Sequence, residues 1–242
     1  MADFLENTPS DFVKNILPLY QGPFVKIKVK PNDGEYTVSM SLICKESSYF
    51  AAMFKGEFTE GQTQTADMKE MSGVVSSQRI ASLIQWLYHR RVQFNSTNPG
   101  EQLTAAIELA RLADMCDMKR LEVDVGKCIR KIVTATPKPN SMSCQDDMNA
   151  YWVTEKHIDS AGFLPQGHVV RRTLAAASVE GFFKKKDYKF ARMAREHPTF
   201  GADLLDQVKL TLFSLKLVRG PNLYATVTDH ITGQAVYLNA TR

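Results

Sequence analysis

Strict alternation is the clearest pattern in the chain. Over Phe24–Lys30, Val25, Ile27 and Val29 fall on one face and Lys26, Lys28 and Lys30 on the other, the period of a half-buried β-strand. Pro31-Asn-Asp-Gly34 supplies turn-forming residues, and Glu35–Ser39 predicts the returning strand of a hairpin. Upstream, Phe12, Val13, Ile16 and Leu17 recur at helical spacing within Asp3–Tyr20, with Ser10 as the capping candidate and Pro18 as the stop. Downstream, Ser41–Phe54 is apolar and rich in small residues. It predicts a helix capped by Ser47 or Ser48 that buries Tyr49, Phe50, Met53 and Phe54 and ends at Gly56. Thr65–Met71 predicts a third strand.

The period then changes. Ile80, Leu83, Ile84, Leu87 and Tyr88 lie at i, i+3, i+4, i+7 and i+8, an amphipathic helix. Asn98-Pro-Gly-Glu101 combines a cap, a first-turn proline and an acid three residues on, and opens a helix carrying Leu103, Ile107, Ala110 and Ala113. Asp117 is the expected cap of a third, with Leu121, Val125, Cys128, Ile129 and Ile132 in register. Thr134–Ser143 is polar, proline-bearing and aperiodic, the best domain boundary in the chain. Helical stretches are expected around 145–160, 168–196 and 200–217, then a terminal hairpin of Tyr224–Asp229 and Gln234–Leu238 around Thr232-Gly233. The order gives an α+β class, a small sheet covered by helices.

Composition sets bounds. With 44% hydrophobic and 23% charged residues in 242, the chain can bury a core and is not disordered throughout. The opening Met-Ala-Asp-Phe-Leu-Glu is acidic, so no secretory signal is expected, and the reading is intracellular: cytoplasmic, nuclear or both. The apolar stretch Leu210–Val218 is interrupted by Ser214 and Lys216 and falls far short of the ~20 residues of a membrane span. Cys44, Cys116, Cys128 and Cys144 have no CxxC spacing and read as free core thiols. Two sequons, at Asn95 and Asn239, carry no weight without export. Residues 1–136 are electrically neutral, and the whole net charge of +4 lies in 137–242. The first half is not built to seek polyanions.

Candidate chemistry is sparse. Gly56-Glu-Phe-Thr-Glu-Gly-Gln-Thr63 nearly spells a phosphate-binding loop, but Gln62 replaces the lysine and Glu57 and Glu60 would face phosphate oxygens. Lys184-Lys-Lys-Asp-Tyr-Lys189, with Arg171, Arg172, Arg192 and Arg195, is the one basic concentration, interleaved with Phe182, Phe183 and Tyr188. It lacks a recognition motif and reads as a solvated face over inward-packed Phe182, Phe183 and Phe190, so nucleic acid is not the expected partner. His89, His157, His168, His197 and His230 lie far apart and read as surface histidines, with no HExxH and no ligand spacing to a cysteine. No cofactor, no metal and no membrane partner are expected, and no catalytic residue stands out.

Several motifs, in order, resemble one family. Val38-Ser-Met-Ser-Leu-Ile-Cys-Lys-Glu-Ser-Ser-Tyr-Phe-Ala-Ala-Met-Phe54 is similar to the central signature of BTB/POZ domains, and Gly56–Glu60, Trp86-Leu-Tyr88 and Glu108–Asp114 continue the likeness. The family usually has His-Lys after the second strand, where this chain has Ser39-Met40. The resemblance implies a BTB/POZ fold over 22–135, preceded by an N-terminal helical extension (1–21). A linker (136–144) and a mainly helical region (145–242) ending in the hairpin would follow. His197–Leu205 is similar to a helical tail of compact stand-alone BTB proteins.

For function, the resemblance implies a non-enzymatic protein-interaction module that self-associates, docks a cullin scaffold as a ubiquitin-ligase substrate adaptor, or both. Phe58-Thr59-Glu60 fits the family's docking pattern, an aromatic anchor with a carboxylate that fixes register. The plainer alternative has Phe58 packing under its loop and Glu60 solvated. Phe12 and Ile16, within Asp11–Leu17, are the candidates for self-association into a homodimer, against the alternative of a helix capping its own core. The other readings are a homotypic scaffold in transcriptional control and an enzyme whose site is assembled only by folding.

Overall fold

The computed structural model describes residues 8–31, 34–135, 149–184, 188–218 and 224–238. The 136–144 linker, Asn32 and Asp33 of the hairpin turn, Cys144 and Lys185–Asp187 lie outside the described residues.

The first helical segment begins two residues earlier than the Ser10 cap predicts. Thr8, not Ser10, caps it: the hydroxyl accepts from the Asp11 amide, and Pro9 takes the first helical position, where its missing N–H costs nothing. One α-turn, α1 (Pro9–Asp11), passes into a π-turn (Phe12–Ile16) and a 3-10 turn (Leu17–Tyr20). Strands β1 (Phe24–Lys30) and β2 (Gly34–Ser39) pair antiparallel, and β1 buries Val25, Ile27 and Val29 as the alternation demands. Helix α2 (Met40–Glu46) is capped by Ser39, and α3 (Ser48–Lys55) by Ser47, whose hydroxyl accepts from the Phe50 amide. After the single turn α4 (Thr59–Thr63), β3 (Thr65–Lys69) returns beside β1 in parallel, giving the strand order β2-β1-β3. Helix α5 (Ser77–His89) buries Ile80, Leu83, Trp86 and Leu87.

Two long helices follow, α6 (Pro99–Met115) and α7 (Lys119–Ala135). Asn98 caps α6 as expected, accepting from the Gly100 and Glu101 amides. Asp117 does not cap α7. It sits at φ +49 just past the end of α6, where the Met118 amide reaches the Ala113 carbonyl and the Asp117 amide the Asp114 carbonyl. That pair of bonds closes a helix C-terminus, a left-handed position more often filled by glycine.

By contacts the chain divides into two compact units. The first is Met1–Asn95 with Glu108–Asp124, the second Ser96–Ile107 with Val125–Arg242, so the division runs through α6 and α7 and not at 136–144. In the first unit Phe50, Phe54 and Trp86 are all buried, with Phe50 stacked on Phe54 at 6.0 Å. The Trp86 indole N–H donates to Asp124 at 3.0 Å. The Arg90 guanidinium lies 4.7 Å over the Trp86 ring and donates to Glu46 at 2.7 Å, both side chains under 10% exposed.

The second unit holds α8 (Glu155–Gly162), α9 (Val169–Lys184), α10 (Ala191–Glu196) and α11 (Pro198–Phe213). The last helix ends four residues before the expected 217, and the chain turns into β4 (Lys216–Val218). That strand makes a three-stranded antiparallel sheet with the expected hairpin strands β5 (Tyr224–Thr228) and β6 (Ala235–Leu238). The buried Arg171 donates to Asp203 at 2.7 Å and to the Leu164 and Thr199 carbonyls. His157, expected at the surface, is buried: its Nδ1 accepts from the Thr154 amide, and its Nε2 lies 3.0 Å from the Thr104 hydroxyl, which itself donates to the Gly100 carbonyl. His168 is buried as well. Burial lowers the His157 pKa from 6.5; a bond to the Gly100 carbonyl opposes that shift and the Lys189 charge adds to it.

Two outcomes follow. Glu46→Ala leaves Arg90 buried without its carboxylate and is expected to cost ~3–5 kcal/mol, read as a lower midpoint in urea unfolding. The folded pKa of His157 is below the unfolded one, so its contribution is complete above ~6.5 and is lost as pH falls through the folded pKa. Melting temperature therefore drops on acidification below pH 6.5, and His157→Gln melts with a smaller acid-dependent loss.

Candidate protein-docking surface

The expected docking residues occupy one corner of the first unit, built from the ends of α3 and α4. The start of α3 is fixed by two serines. Ser47 caps the helix and donates its hydroxyl proton to the Cys116 carbonyl at 2.6 Å, and Ser48 donates to the Asp117 carboxylate at 2.5 Å. That bond, with Lys119 nearby, holds the Asp117 carboxyl below its usual range. At the other end, Gly56 closes α3 through its amide to the Ala52 carbonyl, and the chain turns through extended Phe58 into α4.

Glycine is required inside this turn. A Cβ at Gly61 would sit 2.5 Å from the Gly56 carbonyl oxygen and 3.3 Å from that of Phe54, so α4 is packed backbone to backbone on the end of α3. Gln64 takes a left-handed conformation, its side chain bonds the Gly61 carbonyl, and its own carbonyl accepts from Lys26 of β1. The stretch that mimics a phosphate loop follows a helix and turns carbonyl oxygens, not amides, toward its glycine.

On this scaffold Phe58 is 63% exposed, Thr59 is exposed and Glu60 half-buried. Phe58 therefore does not pack under its loop. Tyr49, expected in the core, is 38% exposed and stands edge-on to the buried Phe50. Its hydroxyl pKa is raised by burial first, then by Cys116 and the Glu60 carboxylate. Tyr49 escaped sequence reasoning because Tyr-Phe reads as one apolar pair, whereas adjacent helical positions point about 100° apart. The corner presents two aromatic rings and a carboxylate on rigid backbone, the form of an anchor with a polar rim.

The N-terminal segment divides differently from the expectation. Phe12 is 39% exposed, but Ile16 is buried at 6% and packs in its own fold. The exposed apolar side chains are Phe12, Val13, Leu17 and, on β1, Phe24. Ser39 holds this segment in place: its hydroxyl donates to the Leu19 carbonyl and its amide to the Tyr88 hydroxyl. Tyr20 in turn donates to the Tyr88 carbonyl.

Elsewhere three cations of the basic cluster are engaged internally: Arg171 as above, Lys189 with the Ala150, Tyr151 and Val153 carbonyls, and Arg192 with Glu155 and Glu196. Phe190 is fully buried, but Phe182, expected inward, is 40% exposed. Cys44 and Cys116 are buried free thiols and Cys128 is half-buried; burial pushes Cys116 up to about 12. Among the described residues no cluster of three or more His, Cys, Asp or Glu is arranged to hold a metal ion, and no helix is long and apolar enough to cross a membrane.

A small mixed sheet roofed by helices, with a rigid aromatic corner turned to solvent, has the build of a protein-interaction module. Residues 21–122 match the family model of the BTB/POZ domain, and the chain is a BTB/POZ domain-containing protein. The match ends at 122, short of the expected 135. No curated protein matches the chain.

Gly61→Ala tests the corner directly. The methyl must displace α4 from the end of α3, and the expected cost is ~1–3 kcal/mol in denaturant unfolding, whereas the exposed Thr59→Ala is expected to stay within ~0.5 kcal/mol of wild type.

Proposed function

We propose that the protein is an adaptor that docks a cullin scaffold through Phe58, Thr59 and Glu60, with the second unit presenting or bracing a substrate for ubiquitin ligation. The observation that carries this reading is the 63% exposure of Phe58 on a turn whose backbone packing leaves it little freedom. An exposed aromatic on rigid backbone loses little entropy on binding, and the neighbouring carboxylate gives the contact a register. Tyr49 extends the same surface. The protein acts in the cytoplasm, the nucleus or both, by binding and not by catalysis.

A second reading, a homotypic scaffold in transcriptional control without a ligase link, is favoured by a separate observation. Phe12, Val13, Leu17 and Phe24 are 38–60% exposed in the segment that opens the domain, an apolar surface suited to a second copy. Self-association through this surface is compatible with cullin docking, because the residues involved are different.

Co-purification with a cullin separates them. Phe58→Ala/Glu60→Ala is expected to abolish cullin capture while leaving the sedimentation coefficient unchanged; capture retained by this double variant rejects the docking site. Val13→Asp is expected to weaken self-association with cullin capture intact, and a wild-type chain that is monomeric at micromolar concentration rejects self-association by this segment.

A further inference from the structure

Helix α11 has two apolar faces. Phe200, Leu204 and Val208, with Thr211, are buried inside the second unit. The opposite face turns Leu205, Leu210, Leu212 and Phe213 outward at 63, 48, 46 and 79% exposed, and Leu215 and Leu217 extend the run through β4 at 44 and 69%. A single exposed leucine is ordinary, but six large apolar side chains in thirteen residues are not. The run overlaps Leu210–Val218, which is too short and too interrupted to span a membrane.

The charges on this face indicate what covers it. Asp206 and Lys209 are the only charged residues of α11 exposed to solvent; Asp203, the third, is buried against Arg171. They stand one turn apart in the middle of the outward face, with Leu205 and Ala202 before them and Leu210 and Phe213 after. A face ordered apolar, acid, base, apolar is its own complement when reversed. We infer that α11 is a self-association face, pairing antiparallel with α11 of a second copy about a two-fold axis near residues 207–208. Asp206 of each copy then meets Lys209 of the other, twice by symmetry, between the flanking leucines. A groove of about 470 Å³ beside the face, lined by Gln166, Gly167, Arg172, Leu210 and Phe213 among others, gives room for the aromatic ring arriving from the second copy. This interface lies wholly in the second unit and is independent of the Phe58 corner and the N-terminal segment.

Charge reversal in the full-length chain tests it, in a Phe12→Asp/Val13→Asp background that removes the apolar surface of the first unit. Sedimentation velocity is expected to show concentration-dependent dimers for this parent. Asp206→Lys alone and Lys209→Asp alone each place like charges opposite one another at both contacts and are expected to weaken association by about tenfold or more. An equimolar mixture of the two single variants restores complementarity and is expected to dimerise like the parent, as is the double swap Asp206→Lys/Lys209→Asp. Both positions are exposed, so thermal unfolding of all four proteins should coincide at a concentration low enough that each is monomeric. A monomeric parent at tens of micromolar, or single variants that associate as the parent does, overturns the proposal. So does a mixture that fails to recover, which would assign the face to a different protein. None of these outcomes depends on cullin binding.

Discussion

The docking corner of the first unit depends on how the first turn of α3 is held. Ser47 serves two partners at once: its oxygen accepts from the Phe50 amide as a helix cap, and its proton goes to the Cys116 carbonyl at the end of α6. Ser48 adds the Asp117 carboxylate one residue on. Helix α3 is thereby fixed at its N-terminus to the closing turn of another helix. Its axis, the Phe50–Phe54 stack beneath it and the direction in which α4 leaves it follow from that attachment. The left-handed backbone of Asp117 belongs to the same arrangement, because it places the carboxylate where Ser48 can reach it.

Much of this was legible in the chain. The alternation of Phe24–Lys30 marked β1 because one strand face is buried and the other wet. The i, i+3, i+4 spacing of Ile80–Tyr88 marked α5, and Asn98-Pro99 marked the start of α6 through chemistry confined to four residues. The failures share a different cause. Ser10 and Thr8 are both competent caps, and only the fixed φ of Pro9 decides between them. Asp117 is a common cap residue, yet here tertiary contact with Ser48 gives it the opposite role, ending one helix instead of starting the next. Residues 216 and 217 continue an apolar run and read as helix, but strand pairing with β5 takes them, an interaction that no local pattern encodes.

The candidate site was legible in part for the same reason. Phe58-Thr59-Glu60 could be picked out as a motif, whereas the exposure of Phe58 depends on Gly61 pressing against the carbonyls of Met53, Phe54 and Gly56 at the end of α3, a contact set by the path of the chain. Ile16 and Phe12 were equal in periodicity, and the Ser39–Leu19 and Tyr20–Tyr88 bonds separate them, burying one and leaving the other out. In the second unit, polar anchors add to the apolar packing: Arg171 of α9 pairs with Asp203 of α11, and the Lys189 ammonium donates to three carbonyls of the 150–153 segment.

The Cys116 thiol has a consequence of its own. Raised to about 12 by burial at the end of α6, it stays protonated at any cellular pH, and thiolate is the form that oxidants and alkylating reagents attack. In the closed fold it is chemically silent. Its reaction rate with such reagents therefore reports how often the junction of α3 and α6 opens, which makes one buried sulfur a built-in clock for local unfolding at the base of the docking corner.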